Sequence, residues 1–214
     1  MPASCLRRRI DTAVPPRQSA TSPATRALGG GGSGEGTPND ALAVRLRDGS
    51  SVTIRPATAR DEPALRSFLT GLCLEARYLR FFTGGPDISY AAHLAATVDE
   101  RHHGLIAHEE AGALVGHAIY IQLDQERAEV AVEVADHLHG RGLGTILIEL
   151  LAARAERRGI TRFVADVLPE NHEMLDVFRD GFEAHVRLHD RTDAVEFPTS
   201  SWRLARQRFE ALAS

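Results

Sequence analysis

The sequence predicts a mixed α/β domain in which a central sheet carries helices on both faces. Apolar and polar residues alternate in several short runs, which indicates strands, whereas other runs repeat at helical spacing. These patterns follow the order βααα, βββ, αβ and αββ, with short polar turns between many of them. The apolar share of 43% and the charged share of 25% are typical of a globular protein.

The first part of the predicted domain contains a strand pair, helical segments and three consecutive strands. The run AVRLRDGSSVTIRP, residues 43–56, alternates on both sides of Asp48-Gly49, which is typical of a hairpin. Helical patterns follow in ARDEPALRSFLTGLC from about Asp61, in LEARYLRFF until Gly84-Gly85-Pro86, and in SYAAHLAATV. The runs HGLIAHEE, ALVGHAIYIQL and RAEVAVEVAD then predict three strands that pair antiparallel.

The second part alternates helices and strands. Residues 143–158 carry apolar side chains at helical spacing, and Gly159 supplies a C-terminal stop. TRFVADVL predicts a buried strand, and PENHEMLDVFRD predicts a helix that starts after Pro169. FEAHVRLHD and TDAVEFPTS predict a closing strand pair.

The boundaries of the domain follow from composition. Residues 1–40 are rich in Pro, Ser, Thr, Ala and Gly, so we expect a disordered tail that contains the linker GGGGSGEG. The folded domain is predicted over residues 41–205, followed by a short C-terminal tail at 206–214. A tail of about 40 residues is too short for a sensor domain, so regulation by a fused sensor is not expected.

Composition also excludes several classes of function. All 25 basic residues are arginine, and a chain without lysine cannot form the P-loop of a Walker-type ATPase or kinase. A net charge of −4 argues against a general nucleic-acid binder. No apolar run approaches the roughly 18 residues of a membrane span. Cys5 and Cys73 lie far apart and predict no structural disulfide, which fits a reducing, cytoplasmic setting.

Two further patterns favour ordinary structure over a special site. The densest histidine groups, at 102–103 and 136–139, lack the spacing of a zinc site, so no metal is expected. RYLRFF, residues 77–82, mixes arginine and aromatic residues, as platforms for single-stranded nucleic acid do. At helical spacing it is more simply a half-buried helix with Phe81 and Phe82 toward the core. Whether its arginines bind a cofactor or a protein substrate stays open.

The segment HGRGLGT, residues 139–145, places three glycines between a strand and a helix. Free N–H groups of a first helical turn converge there and the helix dipole favours negative charge, so the turn predicts an anion site. The spacing is not the dinucleotide fingerprint, because Thr145 stands where that fingerprint needs a glycine. A tight turn without a ligand is the alternative interpretation.

HGRGLGT after AEVAVEVAD, with VLPEN and a helix ending in DGFEA, resembles the acetyl-CoA site of GNAT-type N-acetyltransferases. The resemblance covers roughly residues 44–200. The stretches EARYLRFF, RFVADVLPENHEMLDVFRD and VEFPTSS are similar to the bacterial GNAT-type protein lysine acetyltransferases. The resemblance implies the GNAT fold and acetyl-CoA as the cosubstrate.

Cofactor-binding residues also follow from the resemblance, position by position. They are the backbone of Val132 and Val134 for the pantetheine arm, then Gly140, Arg141, Gly142, Leu143, Gly144 and Thr145 for the pyrophosphate, and the side chain of Asn171. Asn171 also fits the N-terminal cap of the helix after Pro169, and the two roles are compatible.

Transfer to an amine needs a base, because a lysine with a pKa near 10.4 is protonated at neutral pH. Removing its proton at pH 7 costs roughly 4 to 5 kcal/mol, a cost that a nearby carboxylate lowers. Glu129 and Glu133 lie on one face of the predicted strand, and the resemblance selects Glu129 as the general base. Asp166 is the rival, since other GNAT enzymes place a catalytic Glu five residues before the asparagine.

The sequence departs from the GNAT pattern at three places. His139 replaces the Gln or Arg that usually opens the loop. Phe178 stands where many members have the Tyr that protonates the leaving thiolate, although the lysine acetyltransferases often have Phe there too. FRDGFEA is one residue shorter than the usual FRDAGFEx, so we expect an altered turn after Arg179.

The implied function is transfer of acetyl from acetyl-CoA to lysine side chains of proteins, with acyl-CoA synthetases as expected partners. A small-molecule amine N-acetyltransferase is the alternative enzyme. A non-catalytic acyl-CoA-binding regulator is a third interpretation, which Phe178, His139 and the shortened turn favour. Neither nucleic acid nor a membrane is expected as a partner.

Overall fold

The computed structural model describes residues 41–82, 86–189, 191–204 and 206–207. The predicted disordered tail at 1–40 lies outside these residues, as does most of the predicted C-terminal tail. Cys73 is an exposed, free thiol, and Cys5 falls in the undescribed segment. Among the helices of the described ranges, none has the length and apolar character needed to cross a membrane.

Eight strands of the described residues form one sheet, in the order β1-β2-β3-β4-β5-β6-β8-β7. Neighbouring strands pair antiparallel, except that β5 and β6 run parallel. The predicted antiparallel pairing of the three central strands is therefore confirmed. The strands are β1 Leu42–Arg45, β2 Ser51–Pro56, β3 His102–Glu109, β4 Leu114–Gln122, β5 Arg127–Val134, β6 Arg162–Val167, β7 His185–His189 and β8 Thr192–Pro198.

Helices cover both faces of this sheet, as the sequence predicts. One buried cluster lies under α1 to α3 and includes Ile106 and Leu168, with Phe81 and Phe82 packed at its side. The larger cluster lies under α4 and α5 and contains most of the large buried aromatic side chains. The helices are α1 Glu62–Gly71, α2 Leu74–Phe81, α3 Ile88–Ala96, α4 Leu143–Glu156 and α5 His172–Asp176.

Strand β5 divides its side chains between these two layers. Val130, Val132 and Val134 are buried in the cluster under α4 and α5. Because side chains alternate along a strand, Glu129 and Glu133 lie on the opposite face, toward α1 to α3. One face of β5 thus supplies apolar packing, and the other carries two carboxylates.

The helix before β7 departs from its predicted form. The segment is α-helical only over His172–Asp176 and continues as a π-helical turn over Val177–Gly181. Glu183 then takes a positive φ of 52°, and the Ala184 N–H donates to the Phe178 carbonyl at 3.1 Å. With one residue fewer before the strand, the helix ends in a wide turn and a non-glycine residue accepts the left-handed conformation.

Helix α4 packs closely on β4 at a glycine. A Cβ atom added to Gly116 would lie 3.1 Å from Leu147 Cδ1 and 3.2 Å from Leu143 Cδ2, tighter than ordinary van der Waals contact. Both leucines are fully buried and have little room to move. The glycine therefore sets how near α4 can approach the sheet.

We predict that Gly116→Ala lowers the free energy of unfolding by about 1 to 2 kcal/mol, because the added methyl overpacks this contact. The change is measured as a shift of the urea midpoint at constant m-value. Gly71→Ala is the matched control, since nothing lies within 4 Å of its added Cβ. Equal effects of the two substitutions would contradict the packing argument.

Candidate active site

The parallel strands β5 and β6 pair over a short stretch and then separate. In the described structure three residue pairs join them, from Arg127 with Arg162 to Glu129 with Val164. Strand β5 nevertheless continues along β4 to Val134, and β6 continues along β8 to Val167. We call the gap between residues 130–134 of β5 and residues 165–167 of β6 the strand opening. Glu129 is the last paired residue before it.

The backbone of β5 presents hydrogen-bonding groups to the strand opening. The N–H of Ala135 donates to the Val115 carbonyl, at 2.8 Å, and so points toward β4. Because backbone groups alternate in direction along a strand, those of Val132 and the N–H of Val134 point the other way, into the opening, while the Val134 carbonyl contacts the His139 ring. These are the groups predicted to bind the pantetheine arm, and an extended ligand could bond to them as another strand would.

The glycine loop leads from β5 into the N-terminus of α4. Gly140 and Gly142 have φ values of 71° and 90°, a left-handed conformation that residues with a Cβ rarely adopt. The first bond of the helix runs from Ile146 N to the Gly142 carbonyl, at 3.1 Å, so the N–H groups of residues 143–145 precede the helical ladder. A Cβ on Gly140 would meet no atom within 4 Å. The loop therefore offers an open cradle of N–H groups.

Three hydrogen bonds hold the loop in place. The Arg141 guanidinium hydrogen-bonds the carboxylate of Asp48 in the β1–β2 turn, and the Arg47 N–H donates to the Arg141 carbonyl at 3.2 Å. The His139 ring places Nε2 3.0 Å from the Val134 carbonyl oxygen. His139, which replaces the usual Gln or Arg of the loop, thus contacts β5.

Asn171 follows the carboxyl end of β6, as the glycine loop follows that of β5. It is fully buried, and its Oδ1 accepts from the Met174 N–H at 3.2 Å, which caps α5. Its Nδ2 is buried and has no hydrogen-bond partner within the described part of the chain. A buried amide donor without a partner is costly, and a ligand acceptor at this place would remove that cost.

The carboxylates predicted as candidate bases have different surroundings. Glu129 is half-buried beside the strand opening, on the face toward α1 to α3. Asp166 lies on the same face of β6 and is half-buried, with its Oδ1 3.4 Å from the Thr192 hydroxyl. Glu133 is fully buried, forms an ion pair with Arg80 of α2 and contacts Nδ1 of His117 at 2.9 Å. The carboxylate of Glu133 is therefore bound by Arg80 and His117 inside the protein.

Burial and charge fix the protonation states around Glu133. Burial lowers the pKa of Arg80, the negative charge of Glu129 raises it, and the result is about 10, so Arg80 is a cation at neutral pH. Burial, together with the charge of Arg80, lowers the pKa of His117 to about 3. The neutral ring therefore donates its Nδ1 hydrogen to Glu133.

Sequence reasoning did not select Arg80 or His117. Arg80 lies in the RYLRFF stretch, where the sequence does not distinguish arginines that bind a cofactor from arginines that bind a protein substrate. The structure instead pairs it with Glu133. His117 stands in an otherwise apolar strand, and a buried polar residue in such a run was the available signal.

Phe178 belongs to the core under α5. It is fully buried, with ring centroids 5.2 Å from Phe197 and 6.4 Å from Phe182. The π-helical turn that contains it passes beside the loop, since a Cβ on Gly181 would lie 3.9 Å from Thr145 Cγ2. The altered turn therefore forms part of the wall of the candidate site.

Comparison with known proteins identifies the family. The model of the GNAT acetyltransferase family matches residues 73–182, just over half of the chain. The GNAT domain of S. lividans PAT is 32% identical, with a TM-score of 0.69 over 77% of this chain and 99% of that one. The chain belongs to the GNAT acetyltransferase family. It is accordingly an acetyltransferase, and the family uses an acyl-CoA as cosubstrate.

More distant structures share the fold. A cAMP-binding acyltransferase from Mycobacterium smegmatis is 22% identical, with a TM-score of 0.53 over 81% of this chain and 56% of that one. A GCN5-related N-acetyltransferase from Kribbella flavida is 17% identical, with a TM-score of 0.57 over 69% and 97%. At these identities the likeness establishes the architecture alone.

The site fits an acyl-CoA. The open glycine cradle suits a pyrophosphate, the edge of β5 suits an amide-containing arm, and the buried Asn171 amide suits a carbonyl acceptor. The individual binding roles stay predictions. Among the described residues there is no group of three or more His, Cys, Asp or Glu side chains that could hold a metal.

We predict that Gly142→Ala weakens CoA binding roughly 10- to 100-fold, because a Cβ disturbs N–H groups that bond to a charged ligand. Gly112→Ala is the matched control, since Gly112 has a similar φ of 85° in the β3–β4 turn and open space around it. Both variants should lose about 1 kcal/mol of stability from backbone strain. Isothermal titration with CoA compares the affinities of the two variants. Equal affinities would contradict the claim that the glycine loop binds the ligand.

A second prediction concerns stability at low pH. Burial, together with the charge of Arg80, lowers the pKa of His117 from 6.5 in the unfolded chain to about 3 in the folded chain. As pH falls below 6.5 the unfolded chain binds a proton that the folded chain does not, so stability is lost by about 1.4 kcal/mol per pH unit. In His117→Gln this contribution disappears. Urea unfolding between pH 6 and pH 4 should give a steeper decline for the wild type, and parallel curves would refute the assignment.

Proposed function

We propose that the protein transfers acetyl from acetyl-CoA to lysine side chains of other proteins, with Glu129 as the general base. The observation that carries the proposal is the place of Glu129, at the point where β5 and β6 separate. A carboxylate there lies beside the strand opening, next to the backbone groups that suit the arm of the cosubstrate. The opening also separates this carboxylate from the anion cradle at the start of α4.

The residues around the strand opening have separate roles in the proposed reaction. Acetyl-CoA supplies an acetyl group already activated as a thioester. The backbone groups of Val132 and Val134 orient the arm, and the N–H groups of residues 143–145 bind the pyrophosphate. Glu129 accepts the proton of the incoming lysine, directly or through a water. The amine nitrogen then forms a bond to the acetyl carbon as the carbon–sulfur bond breaks and its electron pair leaves on sulfur. The second proton that the nitrogen loses passes to the departing thiolate or to water, which leaves a neutral amide and CoA.

Phe178 cannot protonate the departing sulfur. A thiol has a pKa near 8.5, so a thiolate can leave near neutral pH without a protein acid. The proposed transfer therefore needs no acid at the position of the usual Tyr, where Phe178 packs in the core.

A protein acceptor is supported by the relatives. The 32% identity with the GNAT domain of S. lividans PAT extends over 99% of that domain, and PAT is a protein acetyltransferase. The resemblance of EARYLRFF and RFVADVLPENHEMLDVFRD to bacterial protein lysine acetyltransferases supports the same class. That group acts on acyl-CoA synthetases, so these are the first acceptors to test.

We predict that the protein transfers radiolabel from acetyl-CoA to a few protein bands of a lysate, and that Glu129→Gln lowers kcat/KM by about 10²- to 10⁴-fold through loss of the base. The chain has no lysine, so label in acetyl-lysine belongs to the acceptor. CoA affinity should not change, which titration calorimetry checks.

Asp166→Asn is the matched control for this test, because Asp166 is the other candidate carboxylate on the same sheet face. A variant pair in which Asp166→Asn abolishes transfer and Glu129→Gln does not would assign the base to Asp166. Label in small molecules alone would favour the small-amine enzyme. Binding of acetyl-CoA without any transfer would refute the proposal.

A further inference from the structure

Arg80 connects the helical layer to the carboxylates of β5. It lies on α2 with 2% of its surface exposed, and its Nε donates to Oε1 of Glu133. The other oxygen of Glu133, Oε2, is 2.9 Å from Nδ1 of the buried His117. Glu133 therefore holds the Arg80 guanidinium with one oxygen and is itself held by His117 at the other.

Glu129 shares this environment. It lies on the same face of β5 as Glu133, and the one residue between them on that face is Ala131. The two Cα atoms are about 13 Å apart, from four residues at roughly 3.3 Å each. Ala131 is buried and small, so no bulky side chain stands between the two carboxylates on this face of the strand. The negative charge of Glu129 raises the pKa of Arg80, so Glu129 lies within electrostatic range of the guanidinium that Glu133 binds.

The charges of the cluster do not balance. Glu129 and Glu133 are two carboxylates, Arg80 is one cation, and His117 is neutral because its pKa lies near 3. Other charged groups on this side are Asp166 of β6, on the same sheet face, and Arg77 of α2, one helical turn before Arg80. Glu129, Glu133, Arg80 and the neutral His117 together carry one net negative charge.

We propose that Arg80 is a positioning residue that orients Glu129 at the strand opening. Glu133 neutralises enough of the charge of Arg80 to leave Glu129 able to accept a proton. This inference rests on the proposed role of Glu129 as the base. Without Glu133, the full charge of Arg80 would stabilise ionised Glu129 and make it a weaker base. Without Arg80, the buried carboxylate of Glu133 would share this face of β5 with Glu129 and have no cation beside it, so Glu129 would bind its proton more tightly.

The test is the acidic limb of the pH profile of kcat/KM, which reports the base in the free enzyme. Glu133→Gln should move this limb to lower pH, and Arg80→Met should move it to higher pH, each by about one unit or more. Opposite shifts from the two partners of one ion pair are not expected of a merely structural contact. Shifts in the same direction, or none, would overturn the proposal.

The double variant Arg80→Met with Glu133→Gln guards against loss of folding, because it leaves no uncompensated buried charge. Its acidic limb should lie near that of the wild type, while kcat falls roughly 10- to 100-fold because Glu129 is no longer oriented. A limb displaced by more than about one unit, or an unchanged kcat, would also overturn the proposal.

Two controls separate the possible failures. Arg55 of β2 forms a partly buried ion pair with Asp61, and β2 lies three strands from β5. Arg55→Met should therefore leave the acidic limb of the pH profile in place. Glu129→Gln tests the base itself. If it keeps full activity, the proposed function of Glu129 fails. If it loses activity while the limbs of the Arg80 and Glu133 variants stay fixed, the positioning proposal alone fails.

Discussion

The separation of β5 from β6 after Glu129 is the constraint on which the site depends. A parallel pair that stayed in register would satisfy its backbone groups internally and leave nothing to offer a ligand. Here the two strands keep their other neighbours, β4 and β8, so the sheet remains continuous while one internal edge opens. The glycine loop and Asn171 both follow from the carboxyl ends of these two strands, where ligands of α/β sheets usually bind.

The two faces of β5 divide the remaining tasks. The valines on one face fill the core under α4 and so anchor the helix whose N-terminus forms the anion cradle. On the other face, Glu133 contacts the cationic Arg80 of α2 and the neutral His117 of β4, and Glu129 lies on the same face. The alternation of side chains along β5 thus lets one strand position both the glycine loop and the candidate base. Gly116 on β4 sets the distance between α4 and the sheet.

Much of the fold could be predicted from the sequence, because long periodic runs and glycine stops determine element type. The order of strands and helices, the antiparallel central strands and the helix after HGRGLGT all follow from such local patterns. The opening between β5 and β6 could not be predicted from periodicity, since RAEVAVEV and RFVADV both read as ordinary strands. The pairing of Arg80 with Glu133 joins residues 53 positions apart, and no local pattern specifies such a contact. The wide turn at Val177–Gly181 was signalled only by a missing residue.

Amide hydrogen exchange with and without acetyl-CoA tests the central claim most directly. If the strand opening receives the cosubstrate, saturation should slow exchange at Val132 and Val134 and at residues 143–145, while amides within the β3–β4 pairing keep their rates. Protection that left both the edge of β5 and the start of α4 unchanged would contradict the account, because the acyl-CoA would then bind elsewhere on the molecule.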